Sequence, residues 1–230
     1  LVGPAVAGMI IGAVGESLCF VLNALTYVAV IVSLAMIRVS PSKRAPSGQP
    51  LREGFVEGVR YAWHSMPIRL LLSTLVVIAL LAGPYATVMP VLVHDVFRGD
   101  ATQMGFLMGS AGVGALAGTV LLASRPDTRG MTSVIIAGSL GAGVSLTAVS
   151  FVPVAWMAAP LLAAIGFGLL VTSVSVNMIL QAIVEDDKRG RVMSLYTACF
   201  LGMAPFGALI AGAITQHTGV RVTLVMGGIC

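Results

Sequence analysis

Charge is what this sequence has least of. Of its 230 residues only 10% are Asp, Glu, Lys or Arg, against 57% hydrophobic residues and a mean hydropathy of +1.00. A soluble domain carries about 25% charged residues. Too few remain here to cover a globular surface in water, so the missing solvent face is lipid, and composition predicts an integral membrane protein. Cysteine is sparse as well. Cys19, Cys199 and Cys230 stand singly in apolar runs with no CxxC pair and no nearby metal ligands, which reads as small buried hydrophobes rather than a disulfide or metal framework. No acidic residue lies in the middle of a complete apolar run; Glu16, Asp95 and Asp100 fall at run ends. A nucleophile–base pair, a metal cluster and a phosphate loop are also missing, so nothing points to an enzyme, a cofactor or a metal.

The net charge of +4 does not point to nucleic acid. The basic residues sit in short loops between apolar runs rather than along one face, which is the pattern of membrane topology signals. The longest polar stretch, 38–69, carries six of the thirteen Lys and Arg residues: Arg38, Lys43, Arg44, Arg52, Arg60 and Arg69. Its first part, Ser40 to Pro50, is rich in Pro, Ser and Gly and reads as irregular. Its second part repeats Leu51, Phe55, Val59 and Trp63 at helical spacing, with Arg52, Glu53, Glu57, Arg60 and His64 on the other faces. That predicts an amphipathic helix over 51–64, bounded by Pro50 and Pro67 and lying along the membrane surface.

A membrane crossing takes about 20 apolar residues. By that measure complete spans run over Ser17–Ile37, Leu70–Val93, Met104–Ser124, Met131–Phe151, Val154–Val184 and Val192–Thr215, with partial ones at Leu1–Val14 and from Val220 onward. The expectation is therefore a piece of a larger protein, cut inside a helix at both ends. Glu185–Arg191 reads as a charged loop, and Asp100 with Gln103 is spaced like a capping box. Alternating the spans puts 38–69, Arg125–Gly130 and Glu185–Arg191 on one side with eleven Lys and Arg residues, against Arg98 and Arg221 on the other. That bias makes the linker side cytoplasmic.

Gly3, Gly8 and Gly15 recur as Gly207, Gly212 and Gly219 at one constant offset. In both places the third glycine ends a helix on the outer side. Two parallel repeats of about six helices each is the layout of major facilitator transporters. The division expected is 1–37 for the end of a first helical half, 38–69 for the linker and 70–230 for the second half.

Individual motifs carry the same likeness. GPAVAG at Gly3–Gly8 resembles the Gly-Pro motif of the fifth helix in major facilitator exporters. GESLCFVLNALTYVAV, LREGFVEGVRYAW, GPYATVMPVLVHDVF, DKRGRVMSLY and GMAPFGALIAGAI, in this order, resemble the bacterial enterobactin-exporter and macrolide-efflux subgroup, the transmembrane secretion effectors. Ala7 departs from the antiporter motif, where a glycine is expected, and ASRPDTRG is a loose version of the acidic-basic loop. The resemblance implies an all-α polytopic bundle, the second half of a major facilitator fold preceded by two helices of the first. It implies efflux of a small amphipathic molecule, a siderophore or a drug, across the bacterial inner membrane by alternating access, driven by protons. A transport-inactive scaffold or sensor of the same fold is the other reading.

Tyr85 and Met89 share a helix face after the Gly83-Pro84 break and suit either an apolar-ligand pocket or packing at a kink. Ser173, Asn177 and Gln181 form a polar stripe on one helix, fitting a cavity wall or interhelical hydrogen bonds. By resemblance this is the tenth helix, which borders the transport cavity. Arg125, Asp127, Arg129, Asp187, Arg189 and Arg191 set topology, or by resemblance act as a cytoplasmic charge latch. Gly105, Gly109, Gly114 and Gly118, with Gly3, Gly8, Gly207 and Gly212, permit close helix packing or a sliding surface between halves. Asn23 reads as a packing residue, since by resemblance its helix is peripheral. The partners expected are a small-molecule substrate, the bilayer and the rest of the same chain.

Overall fold

The computed structural model describes residues 16–37, 51–125 and 130–229. Every element among them is helical. α1 spans Glu16–Met36, α2 Leu51–His64, α3 Met66–Val77, α4 Tyr85–Val91, α5 Ala101–Ala123, α6 Met131–Val149, α7 Ala155–Ile183, α8 Asp186–Thr197, α9 Ala204–Thr218 and α10 Val220–Ile229. Wider π-helical turns at Ile78–Ala82, Leu92–Val96 and Ala198–Gly202 interrupt the run of α-helix. α3 and α4 thus form one broken crossing, Met66–Val96, and α8 and α9 another, Asp186–Thr218. With α5, α6 and α7 these make five helices long and apolar enough to span a membrane. The molecule is an all-α, multi-pass membrane bundle.

Local sequence explains most of the ends. α2 begins directly after Pro50 and stops at His64, and Pro67 sits in the first turn of α3, where a missing N–H costs nothing. Asp100 caps α5, its carboxylate accepting from the Gln103 N–H at 2.9 Å, so half of the predicted capping box forms. Gly219 ends α9 with φ +88°, a backbone state that a side chain would strain. Gly3, Gly8 and Gly15 lie outside the described residues.

One boundary differs from expectation. The charged segment after Val184 is not a loop: helix α8 starts at Asp186 and includes Lys188, Arg189 and Arg191. Asp186 and Asp187 in its first turn face the positive end of the helix dipole, which favours helix there. Arg189 pairs with Asp186 one turn back at 2.6 Å. Apolar length alone missed this, because two charged turns of helix can project beyond the lipid.

α7 is the centre of the bundle, packed on α5 along one side and α6 along the other. Lipid tails are as apolar as leucine, so burial between helices gains little and close van der Waals contact must hold the bundle. Small residues provide it. A side chain at Gly114 would collide with the Ala163 backbone, and one at Gly166 with the Ala111 carbonyl. Gly138 and Gly168 allow the same approach between α6 and α7, where Ser139 and Thr172 share a hydrogen bond of 3.2 Å. Of three apolar clusters in the interior the smallest holds Leu122, Met131 and Val171, and two larger ones make up the rest. One holds Met89, Leu107, Leu146 and Leu162, and the other, at the linker end, holds Ile68, Leu75, Leu180 and Val192. The described side chains of α1, Asn23 included, are exposed.

Candidate functional site: a cavity between two broken helices

Two crossings carry a proline where the helix widens. Pro84 and Pro205 have no N–H to donate, and their rings crowd the preceding turn. Before Pro84 the backbone responds with a π-type bond, the Gly83 N–H donating to the Ile78 carbonyl at 2.7 Å. The second break, Ala198–Gly202, precedes Pro205 in the same way. Gly207 brings the two broken helices together, since a side chain there would meet the carbonyls of Ala79 and Leu80 and the ring of Pro84. Beside that contact a cavity of about 730 Å³ opens against α5 and α7. Irregular backbone at membrane depth is tolerated where it lines such a space.

The cavity wall carries Tyr85 and Thr87 from α4, Met108 from α5, Ser173 from α7, and Phe200 from the second π-turn. Among the described residues no charged side chain lines it. Tyr85 and Ser173, singled out separately in the sequence, line this one cavity from different helices. The Ser173 hydroxyl donates to its own helix, to the Leu169 carbonyl at 2.8 Å and the Leu170 carbonyl at 3.1 Å. Met89, one turn from Tyr85 on the same helix face, is 0% exposed in the apolar core on which Tyr85 also packs, and it does not line the cavity. Gln181 donates its amide to Asn177 along α7, below the cavity rim toward the charged end. Tyr196 donates to the Ser173 carbonyl at 3.4 Å and stacks on Phe200 with ring centroids 6.1 Å apart.

Thr87, Met108 and Phe200 escaped the reading of the sequence. A signal for Phe200 existed: Pro205 repeats, in a second apolar run, the break that drew attention to Tyr85. The glycines of α5 divide. Gly105 is buried, while Gly114 and Gly118 press on α7 inside the same bundle. Gly109 is partly buried, and Gly212 has open space where a side chain would go.

The charged end of the bundle is organised by an unexpected acid. Glu57 of α2 accepts from Arg191 at 2.6 Å and from Lys188 at 2.8 Å, and Lys188 also reaches Asp187 at 3.3 Å. Gly58 lets α2 settle directly over the Arg191 side chain, with 3.1 Å to its Cβ for any added methyl group. The hydrogen bond from Lys188 is the main cause holding the Glu57 carboxyl below the ordinary carboxylate range; partial desolvation opposes it, and the Arg191 and Lys188 charges assist. Of the predicted charge residues, Arg191 and Asp187 join this cluster, and Arg189 pairs locally. Arg125 is exposed at the end of α5, and Asp127 and Arg129 lie outside the described residues. α8 links both features, because its first turns hold the charges and the π-turn that follows it contributes Phe200 and Leu201 to the cavity wall.

Broken helices around a cavity in a bundle of membrane crossings are an arrangement that recurs among secondary transporters. The sequence profile of the transmembrane secretion effectors matches residues 1–230, and the chain belongs to this family of the major facilitator superfamily. It is 25% identical to the multidrug efflux pump Tap of Mycolicibacterium fortuitum, over 98% of this chain and 56% of the pump. It is 28% identical to Tap of Mycobacterium tuberculosis, over 98% and 54%. The staphyloferrin A transporter of Staphylococcus aureus is 26% identical, over 98% and 56%. The chain spans about half the length of the curated relatives it matches.

Proposed function

We propose that this chain forms one wall of a secondary transporter that exports a small amphipathic molecule from a bacterial cell. The carrying observation is the uncharged cavity at the two proline-broken helices, where Tyr85, Phe200 and Met108 offer apolar area and Thr87 and Ser173 add a few hydroxyls. Few polar groups on an apolar wall is what a binding pocket for such molecules needs. Relatives named for multidrug efflux and for staphyloferrin A support drugs and siderophores as the substrate range. In this reading the bilayer is the inner membrane, the linker 38–69 is cytoplasmic, and transport proceeds by alternating access coupled to protons. Glu57, Lys188 and Arg191 act as a latch that steadies one state, and Arg125, Asp127 and Arg129 belong to the same side by the order of the spans in the sequence. Asn177 and Gln181 extend the substrate path from Ser173 toward the cytoplasm, and Met89 supports the wall from behind.

The test is accumulation of a fluorescent lipophilic cation, and of a siderophore, in cells expressing the full-length protein. Wild type lowers accumulation, and a proton ionophore abolishes the difference. Gly112→Trp, which fills the cavity from α5, loses export while the amount of protein in the membrane stays unchanged. Equal accumulation with and without the wild-type protein would leave a scaffold or sensor of the same fold.

A further inference from the structure

The linker helix α2 has two faces with opposite fates. Glu57, Gly58 and Ala62 turn toward the bundle, with Ala62 buried and Glu57 tied to Lys188 and Arg191 of α8. On the other side Val56, Val59 and Trp63 share one face by helical spacing, yet are 57%, 39% and 67% exposed. Arg60 lies exposed on the same side. The Arg69 guanidinium sits over the Trp63 ring, 5.7 Å from its centroid. Only Ser65 separates α2 from the start of a membrane crossing at Met66, so this face is held at the level where lipid meets water.

Charge then selects the occupant. Stretch 38–69 has six Lys and Arg residues against two acids, Glu53 and Glu57. Glu57 is already neutralised on the bundle side, so its charge does not offset Arg60 and Arg69. We propose that the Val56–Val59–Trp63 face, with Arg60 and Arg69, is a docking surface for anionic phospholipids of the leaflet beside the linker. The apolar side chains enter the acyl boundary, and Trp63 takes the interfacial level its amphipathic ring prefers. The guanidiniums bind headgroup phosphates in the forked geometry that arginine favours. Each basic residue near an anionic surface adds attraction that salt screens. Because the opposite face is clamped to α8, lipid held here braces the end of the crossing that lines the cavity. The inference stands whatever the protein transports.

Bromine on an acyl chain quenches tryptophan at short range, which supplies the test. The full-length protein, with every tryptophan except Trp63 replaced by Phe, is placed in nanodiscs containing either brominated phosphatidylglycerol or brominated phosphatidylcholine at equal fraction. Trp63 is quenched at least twofold more by the anionic lipid. R60Q combined with R69Q brings the two values together, and so does high salt acting on the otherwise unaltered protein. A bimane dye at V56C, in protein that keeps its tryptophans, shows the same preference. Equal quenching by both lipids in the unaltered face overturns the proposal, as does no quenching by either, which would mean that water or protein covers the face.

Discussion

Arg191 Nη1 stands 2.6 Å from Glu57 Oε1. That one contact ties the linker helix to the beginning of a crossing whose π-turn, further along, forms part of the cavity wall. Linker and cavity are therefore mechanically continuous through α8, and changes at Glu57 are expected to be felt by both.

Glu57→Gln removes the charge while keeping the shape. Amides of α2 then exchange with solvent several-fold faster, because the linker helix loses both cationic partners. Amides in the α5–α7 contact are unaffected. Hydrogen exchange with peptide-level mass analysis reads both outcomes, and unchanged protection of α2 would show that packing at Gly58 and Ala62 alone seats the helix.

Acid should mimic that substitution. The Glu57 carboxyl is held below its ordinary value of 4.5 by Lys188 first, and then by Arg191 against partial desolvation. A carboxylate lowered in the folded state contributes stability that is complete above its unfolded value and lost as pH falls through the lowered one. Protection of α2 is thus level above pH 4.5 and declines only below it. A decline at neutral pH would point to a different titrating group.

The α5–α7 contact sets a steeper test. A side chain at Gly166 meets the Ala111 carbonyl, so Gly166→Val forces the helices apart and costs about 1–3 kcal/mol. Gly212 has no neighbour within 4 Å, and Gly212→Ala changes stability by about 0.5 kcal/mol or less. Unfolding of the full-length protein in mixed detergent micelles, titrated with SDS, separates the two. Equal effects would mean that α5 and α7 do not pack as described.

At the cavity, the ring of Tyr85 should matter more than its hydroxyl. Tyr85→Phe is expected to keep export within about twofold, whereas Tyr85→Ala and Phe200→Ala each lose about tenfold, the equivalent of roughly 1.4 kcal/mol of binding. Dose–response growth curves with the exported compound measure this. Loss of export by Tyr85→Phe alone would shift the role to the hydroxyl.

Topology can be tested without transport. Ser47→Cys, in full-length protein lacking its native cysteines, is labelled by an impermeant maleimide only from the cytoplasmic side. Labelling from outside reverses the orientation drawn from the basic residues.

How far the sequence carried these conclusions varies by element. α2 was legible to the residue, since prolines flank it and its apolar spacing is regular. The crossings were legible because about 20 apolar residues in a row have few other fates. The start of α8 was not, because hydropathy measures where lipid ends, whereas a helix ends where its hydrogen bonds do. Tyr85 and Ser173 were picked out singly, from a broken helix and a polar stripe. Met89 shares the helix face of Tyr85, but it lies one turn further along, where neighbouring helices bury it completely, so only Tyr85 reaches the cavity.

What the sequence by itself determined is the material and its placement: membrane crossings, a basic linker on one side, and an amphipathic helix between prolines. Periodicity assigns residues to faces but cannot say what each face meets. That was left to the tertiary structure. It set the side of α2 bearing Gly58 and Ala62 on α8, left Val59 and Trp63 outward, and gave Glu57 its two cations. It also joined two proline breaks, distant in the chain, into one cavity. The physical reason is the same in each case. Partners far apart in sequence are chosen by how closely the helix surfaces between them can approach, and here glycines at the contacts made that choice.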